Sequence, residues 1–178
     1  MKPMRIPLLA TALLLSGLIA PPRAHAVQPG QQAPDIFGRS LLEDKKYRVS
    51  DFRGKVLVVD FWASWCGPCI ISMPELAALR ERMIKAGYGD RFEIMGVNLD
   101  EDPDRARAFL KVHPVNYPVI VDLLGLGTRE FAPRKLPSTY IISPTGRVNF
   151  IYYGYGKGYG TDLEVRILEE LNAKIDPR

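Results

Sequence analysis

Cysteine and histidine are scarce in this sequence, and their scarcity excludes several classes of protein. Two cysteines cannot form a disulfide-dense scaffold, and they cannot supply the four thiolates of a structural zinc site. The histidines are His25 and His113, and only His113 lies outside the N-terminal leader described below. We therefore expect neither a metal nor another cofactor in the functional site.

An excess of charge of one sign is also missing. The 178 residues carry a formal net charge of +4, but Lys2, Arg5 and Arg23 belong to a leader that contains no acidic residue. The rest of the chain has 21 basic and 20 acidic residues, a net charge of +1. The charge therefore does not indicate nucleic acid as a partner.

The first 26 residues have the order of a secretory signal peptide. A basic start (1–5) precedes an apolar stretch (6–20), and Ala24-His25-Ala26 has the small-x-small pattern of a cleavage site. We expect cleavage after Ala26, which leaves residues 27–178 as one exported domain, periplasmic in a Gram-negative organism. A retained membrane anchor is the alternative, although the apolar stretch is shorter than the roughly 20 residues that span a bilayer.

Strand-like and helix-like segments alternate along this domain. Residues 55–63 form a nearly unbroken β-branched and aromatic run, which is typical of a strand covered on both faces. An edge hairpin is predicted in which 41–42 and 47–49 flank a charged turn at 43–46. The other predicted elements are strands at 92–97, 117–121, 138–142 and 148–153, helices at 68–86, 102–112 and 163–171, and a short helical or loop segment at 123–131. A parallel part followed by an antiparallel hairpin and a closing helix predicts an α/β fold.

Residues 152–160, Tyr-Tyr-Gly-Tyr-Gly-Lys-Gly-Tyr-Gly, are strongly biased in composition. We interpret them as an irregular surface loop after an edge strand. An aromatic rim that contacts partner proteins is the alternative. In either case we expect Thr161 and Asp162 to cap the last helix.

The two cysteines form the motif Cys66-Gly67-Pro68-Cys69 between a predicted strand and a predicted helix. A helix N-terminus has unpaired N–H groups and partial positive charge, so it stabilises a thiolate on Cys66 and lowers the pKa of that thiol. Cys69 lies about one turn further along, close enough to form a disulfide with Cys66 or to attack a mixed disulfide there. We predict that Cys66 is the exposed nucleophile and Cys69 the buried resolving thiol.

Two other interpretations of the cysteine pair are a purely stabilising disulfide and a metal site. A bridge across so short a loop constrains the unfolded chain little, so it stabilises the fold poorly. A metal site needs further ligands, and a copper-delivery module using Cys66, Cys69 and a third ligand is an alternative function. His113 lies in a predicted loop, and nothing in the sequence places it beside the thiols.

Residues 59–69, Val-Asp-Phe-Trp-Ala-Ser-Trp-Cys-Gly-Pro-Cys, resemble the active-site segment of the thioredoxin superfamily. Residues 136–140, Leu-Pro-Ser-Thr-Tyr, resemble its second signature, a proline held in a cis peptide opposite the dithiol. The leader, the extended N-terminal segment and the long stretch at 98–137 resemble the exported TlpA/ResA branch. The resemblance covers about residues 33–171 and implies a thioredoxin-like fold: a central mixed sheet with helices on both faces and an N-terminal β extension.

The resemblance also implies roles for individual residues. Cys66 attacks a substrate disulfide, and Cys69 resolves the mixed disulfide that forms. A cis Leu136–Pro137 peptide presents a backbone edge to the substrate chain, and Trp65 shields the site. The implied substrate-binding residues are Trp65, Gly67, Pro68, Leu136 and Pro137.

Asp60 is the only carboxylate of the run 56–63. Burial there should raise its pKa and make it a candidate proton acceptor for Cys69. Thioredoxins have an aspartate at this position, whereas many exported relatives have an asparagine here and a glutamate three residues after the second cysteine, where this chain has Ser72. Thioredoxins also have a lysine on the neighbouring strand, and 92–97 contains none. An aspartate satisfied by water or backbone donors is the alternative.

These observations predict an exported thiol–disulfide oxidoreductase. The Gly-Pro dipeptide between the cysteines resembles that of reducing thioredoxins, so a reductant is expected. The family implies disulfide-bearing client proteins, apocytochrome c or copper-site proteins among them, and a membrane-embedded electron donor that re-reduces the dithiol. A disulfide oxidase or isomerase of the same fold is the alternative.

Overall fold

The computed structural model describes residues 26–122 and 124–173 of the chain. The predicted signal peptide, apart from Ala26, therefore lies outside the described residues. Among the described helices, none combines the length and the apolar character that crossing a membrane requires.

Short strands and helices alternate in the order that the sequence predicts. The strands are β1 (Phe37–Arg39), β2 (Lys46–Arg48), β3 (Val56–Trp62), β4 (Phe92–Asn98), β5 (Val119–Val121), β6 (Ser138–Ile142) and β7 (Val148–Tyr153). The helices are α1 (Gly67–Lys85), α2 (Pro103–Val112), α3 (Leu126–Phe131) and α4 (Tyr159–Asn172), and a 3₁₀ turn covers Val49–Phe52.

The main sheet has five strands in the order β5-β4-β3-β6-β7. β3, β4 and β5 are parallel to one another, whereas β6 is antiparallel to β3 and β7 is antiparallel to β6. β1 and β2 form a separate antiparallel ribbon. The predicted mixed sheet with an N-terminal β extension is confirmed, and every residue of the central strand β3 is buried, as its apolar run predicts.

Helices cover both faces of this sheet. Side chains alternate between the two faces along each strand, so one strand contributes to two cores. On β3, Val56, Val58 and Trp62 belong to a core that also contains side chains of α1, α2 and α4. The intervening residues of β3 belong to a second core under α3, β2 and the 3₁₀ turn. Asp60 has the same parity as Val58 and Trp62, so it lies on the face covered by α1 and α4.

The N-terminal hairpin begins earlier than predicted. Its first strand is β1, whereas Leu41 is buried and its N–H donates to the carbonyl of Val119 in β5 at 2.8 Å. The chain thus crosses the sheet edge closely, and a Cβ on Gly38 would lie 2.7 Å from the carbonyl oxygen of Val121. Leu41 therefore joins the core at the sheet edge instead of forming a hairpin strand.

The last helix also begins earlier than predicted, at Tyr159. Gly158, with φ +81°, precedes it as the N-cap, so Thr161 and Asp162 lie inside the first turn. The interpretation of 152–160 as a surface loop is wrong at its C-terminal end, and its first two residues belong to the strand that the sequence predicts at 148–153. Tyr152 and Tyr153 complete β7, and Tyr159 is only 6% exposed. An apolar ring on Tyr159 packs into the core, and this burial extends the helix backwards from Leu163.

Candidate active site

Cys66 and Cys69 form a disulfide at the start of α1. Cys66 is the N-cap of the helix, Gly67 and Pro68 are its first residues, and the Cα atoms of the two cysteines are 5.3 Å apart. The N–H of Cys69 donates to Sγ of Cys66 at 3.3 Å. A thiolate on Cys66 would accept the same bond and meet the positive end of the helix dipole. The predicted position of Cys66 at a helix N-terminus is confirmed.

The two sulfur-bearing residues differ little in exposure. Cys69 is fully buried, as predicted, but Cys66 is only 5% exposed, so the prediction of an exposed Cys66 is wrong for this disulfide form. Cys66 packs in the same apolar core as Trp62 and Ala63, because the turn before α1 folds back onto β3. Cys66 nevertheless retains a small accessible surface, whereas Cys69 has none.

Exposed residues surround this small accessible surface. Trp65 is 67% exposed, and Gly67 and Pro68 are exposed as well. The peptide between Leu136 and Pro137 is cis, as the resemblance implies. Because Phe61 of β3 is aligned with Ser138 of β6, Pro137 lies at the end of β3 from which the chain leads to Cys66. The five residues of the implied substrate-binding set therefore come from two segments at one edge of the sheet.

A second carboxylate, Asp100, holds the turn that precedes Cys66. Its oxygens accept the backbone N–H of Ser64 at 3.0 Å, the hydroxyl of Ser64 at 2.9 Å and the side-chain amide of Asn98 at 2.7 Å. Asp100 was not among the residues predicted from the sequence. Ser64 follows β3, and Asp100 follows the parallel neighbour β4. Because the carboxyl ends of parallel strands meet at one sheet edge, that placement was the available signal.

Asp60 is completely buried in the middle of β3. The hydroxyl of Thr139 donates to Oδ1 of Asp60 at 2.7 Å, whereas Oδ2 has no hydrogen-bond partner among the described residues. Burial raises the pKa of Asp60 from 3.8 to about 7, and the Thr139 bond opposes part of this rise. The predicted burial and raised pKa are confirmed. The donor to Asp60 is a side-chain hydroxyl. The β4 residue aligned with Asp60 is Gly96, and β4 contains no lysine, whereas thioredoxins have one on this strand.

Two tyrosines complete the polar surroundings of Asp60. The hydroxyl groups of Thr139 and Tyr159 lie 2.8 Å apart. Tyr117 is 3% exposed, and its pKa is raised well above the ordinary value by burial and then by the negative charge of Asp60. None of these three residues was predicted from the sequence to belong to the site. Thr139 lies within the proline signature at 136–140, but nothing in that signature indicates that its hydroxyl contacts Asp60.

His113 lies at the end of α2, with its ring centroid 4.5 Å from that of Phe109. Within the described residues, no group of three or more His, Cys, Asp and Glu side chains is arranged to hold a metal ion.

Known proteins are similar to this chain in sequence and in fold. The AhpC/TSA family model matches residues 29–151, a range that ends before α4 and therefore excludes Tyr159. The chain is 30% identical to the thioredoxin-like protein YneN of Bacillus subtilis over 131 residues, which cover 72% of this chain and 73% of YneN. It is 33% identical to the thiol-disulfide oxidoreductase ResA of Geobacillus thermodenitrificans over 129 residues, which cover 72% and 71% of the two chains.

A solved structure from Chlorobium tepidum, described as a thiol:disulfide interchange protein DsbE, superimposes with a TM-score of 0.73 and 30% identity. The superposition covers 83% of this chain and all of the other. These matches agree with the Cys66–Cys69 disulfide and with the mixed sheet described above. The chain therefore belongs to the AhpC/TSA family, in which it is a thioredoxin-like thiol–disulfide oxidoreductase of the ResA and DsbE type.

Proposed function

We propose that this protein reduces the disulfides of client proteins outside the cytoplasm, with Cys66 as nucleophile, Cys69 as resolving thiol and Asp60 as proton acceptor. The observation that carries the proposal is the disulfide at the N-terminus of α1, in which Cys66 alone retains accessible surface. In this arrangement Cys66 exchanges with the sulfur atoms of other proteins, and Cys69 reacts with Cys66 in the intramolecular step.

The exchange proceeds in two balanced steps from the reduced protein. The Cys66 thiolate attacks one sulfur of a client disulfide, which breaks the client S–S bond and releases the other client sulfur as a thiolate. Cys69 then loses its proton and attacks Sγ of Cys66. The Cys66–Cys69 bond forms, the second client thiolate leaves, and the client has gained the two electrons that the protein has lost.

Asp60 suits the second step because it is a buried acid whose protonation changes near neutral pH. Its pKa of about 7 lies close to that of a free thiol, about 8.5, so proton transfer between two such groups has a small free-energy cost. Asp60 also lies on the face of β3 that α1 covers, and the first turn of α1 carries Cys69, which is buried.

Alkylation of the reduced protein tests the roles of the two cysteines. At pH 6 we expect iodoacetamide to modify Cys66 first, because only its thiolate is stabilised by the helix N-terminus. A Cys69→Ser variant should trap client proteins as mixed disulfides, and the matched Cys66→Ser variant should trap none. Faster modification of Cys69 would reverse the proposed roles.

The redox potential tests the direction of the reaction. A potential near that of thioredoxin, about −270 mV, supports a reductant, whereas one near that of DsbA, about −120 mV, supports an oxidase. A reductant in an oxidising compartment must be recharged, and we propose a membrane-embedded electron donor for this step. Clients trapped by Cys69→Ser would show whether apocytochrome c or copper-site proteins are among its substrates.

Export is part of the same proposal and rests on the leader sequence. We expect the mature protein in the periplasmic or extracellular fraction, with Val27 as its first residue. Mass spectrometry of the purified protein measures this directly. A mature chain that begins at Met1 in a membrane fraction would support the retained anchor instead.

A further inference from the structure

Two consecutive hydrogen bonds lead from Asp60 to the first residue of α4. The hydroxyl of Thr139 donates to Oδ1 of Asp60 at 2.7 Å, and the hydroxyl of Tyr159 lies 2.8 Å from the same Thr139 oxygen. Thr139 is fully buried and Tyr159 is 6% exposed. Strand β3, strand β6 and helix α4 each contribute one member of this chain of groups.

When Asp60 is ionised, the number of available hydrogens determines which hydroxyl donates each of the two hydrogen bonds. A threonine hydroxyl has one hydrogen, and a carboxylate can only accept. Thr139 therefore donates its hydrogen to Asp60, and the bond between Thr139 and Tyr159 requires the tyrosine to donate. Donation by Tyr159 polarises the Thr139 hydroxyl, which strengthens its bond to the carboxylate.

We propose that Tyr159 is a positioning residue of the exchange reaction, whose hydroxyl donates to Thr139 and so directs the single hydrogen of Thr139 onto the Asp60 carboxylate. The inference rests on the proposed function, because it concerns the acid that accepts the proton of Cys69. It assigns a role to the Gly- and Tyr-rich segment: Gly158 adopts the left-handed conformation that starts α4 at Tyr159.

The other groups around Asp60 do not duplicate this bond. Tyr117, from the loop before β5, forms no hydrogen bond through its hydroxyl within the described residues, and β4 contributes Gly96 opposite Asp60. On α1, Cys69 is held in the disulfide and does not titrate. Burial, and then the negative charge of Asp60, raise the pKa of Tyr159 well above its ordinary value, and Glu75 on α1 adds a smaller contribution.

The test is a titration of the Asp60 carboxyl carbon by NMR in the oxidised protein, where neither cysteine titrates. Asp60→Asn identifies the signal. Tyr159→Phe should raise the pKa of Asp60 above its wild-type value by about half a unit to one unit, because the ionised form loses a strengthened hydrogen bond. Thr139→Val should raise it further, and Thr139→Ser, which keeps the hydroxyl, should restore it.

Two controls separate this role from a general effect on packing. Tyr152→Phe removes a hydroxyl that donates to Asp162 at 2.6 Å from a ring that also packs on Tyr159, and it should leave the pKa of Asp60 unchanged. In the Thr139→Val background, Tyr159→Phe should add little, because Tyr159 acts through Thr139. An unchanged pKa in Tyr159→Phe, or an equal rise in both backgrounds, would overturn the inference.

The readout also distinguishes the inference from the proposed function. If Asp60→Asn leaves the rate of mixed-disulfide resolution unchanged, Asp60 is not the proton acceptor, yet the titration still reports whether Tyr159 acts on it. If both hold, the pH profile of resolution in Tyr159→Phe should shift to higher pH together with the pKa of Asp60.

Discussion

Two buried aspartates, Asp60 and Asp100, lie in contrasting surroundings on adjacent parts of the sheet. Asp60 lies in the middle of a strand and receives one hydroxyl hydrogen, whereas Asp100 follows a strand end and receives an N–H, a hydroxyl and an amide hydrogen. Burial of a charge is costly unless donors compensate it. The comparison shows that the number of donors separates the two carboxylates. Asp100, with three donors, holds the active-site turn, whereas Asp60, with one donor, has a pKa near neutral pH.

The largest expected effect is a pH-dependent stabilisation by Asp60→Asn. The folded protein raises the pKa of Asp60 from 3.8 to about 7, so between these values the folded state binds more protons than the unfolded state. The stability that neutral Asp60 provides is complete below about pH 4 and is lost as the pH rises through 7. At pH 8 the variant should be more stable than wild type by a few kcal/mol, up to about 4.

Urea unfolding of both proteins at pH 4 and pH 8 measures this effect, with no gain expected at the lower pH. A gain that is equal at both pH values would mean that Asp60 does not titrate between them. The same variant should slow the release of a trapped mixed disulfide if Asp60 is the proton acceptor.

A smaller effect of opposite sign is expected for Asp100→Ala. The variant leaves the Ser64 N–H and the Asn98 amide without their acceptor, so we expect a loss of about 3 kcal/mol in the free energy of unfolding. The turn before α1 should also loosen. Cys66 is then held less firmly at the helix N-terminus, its thiolate is stabilised less, and its alkylation at pH 6 should slow. Glu101→Ala, at an exposed neighbouring position, is the matched control and should change neither quantity. An Asp100→Ala protein as stable as the control would break the comparison.

The smallest effect is expected for Ser64→Ala, which removes one of the three donors of Asp100 and keeps the backbone N–H. We expect a loss of about 1 kcal/mol, measured by urea unfolding, with the alkylation rate of Cys66 nearly unchanged. A loss as large as that of Asp100→Ala would mean that the hydroxyl, not the N–H, holds the turn.

Residues close in sequence carried most of what could be predicted about the fold and the dithiol. The apolar run at 55–63 predicts a buried strand, and Gly-Pro between two cysteines predicts a helix start, since both signals act over a few residues. The lone acid in that run likewise predicts a raised pKa for Asp60. The predicted bounds of the N-terminal hairpin and the predicted start of α4 were wrong, because Leu41 and Tyr159 are placed by contacts with β5 and the core, not by their neighbours in the sequence.

The sequence by itself determined the two chemical ingredients: a dithiol at a helix N-terminus and an acid in a strand too apolar to be exposed. Only the tertiary structure decided which donors meet each carboxylate. Tyr159 and Thr139 are 20 residues apart, and Thr139 is 79 residues from Asp60, so strand pairing and helix packing alone bring these groups within hydrogen-bond distance. Hydroxyl side chains carry no local pattern that reveals such partners, and their geometry is set when the strands and α4 pack together.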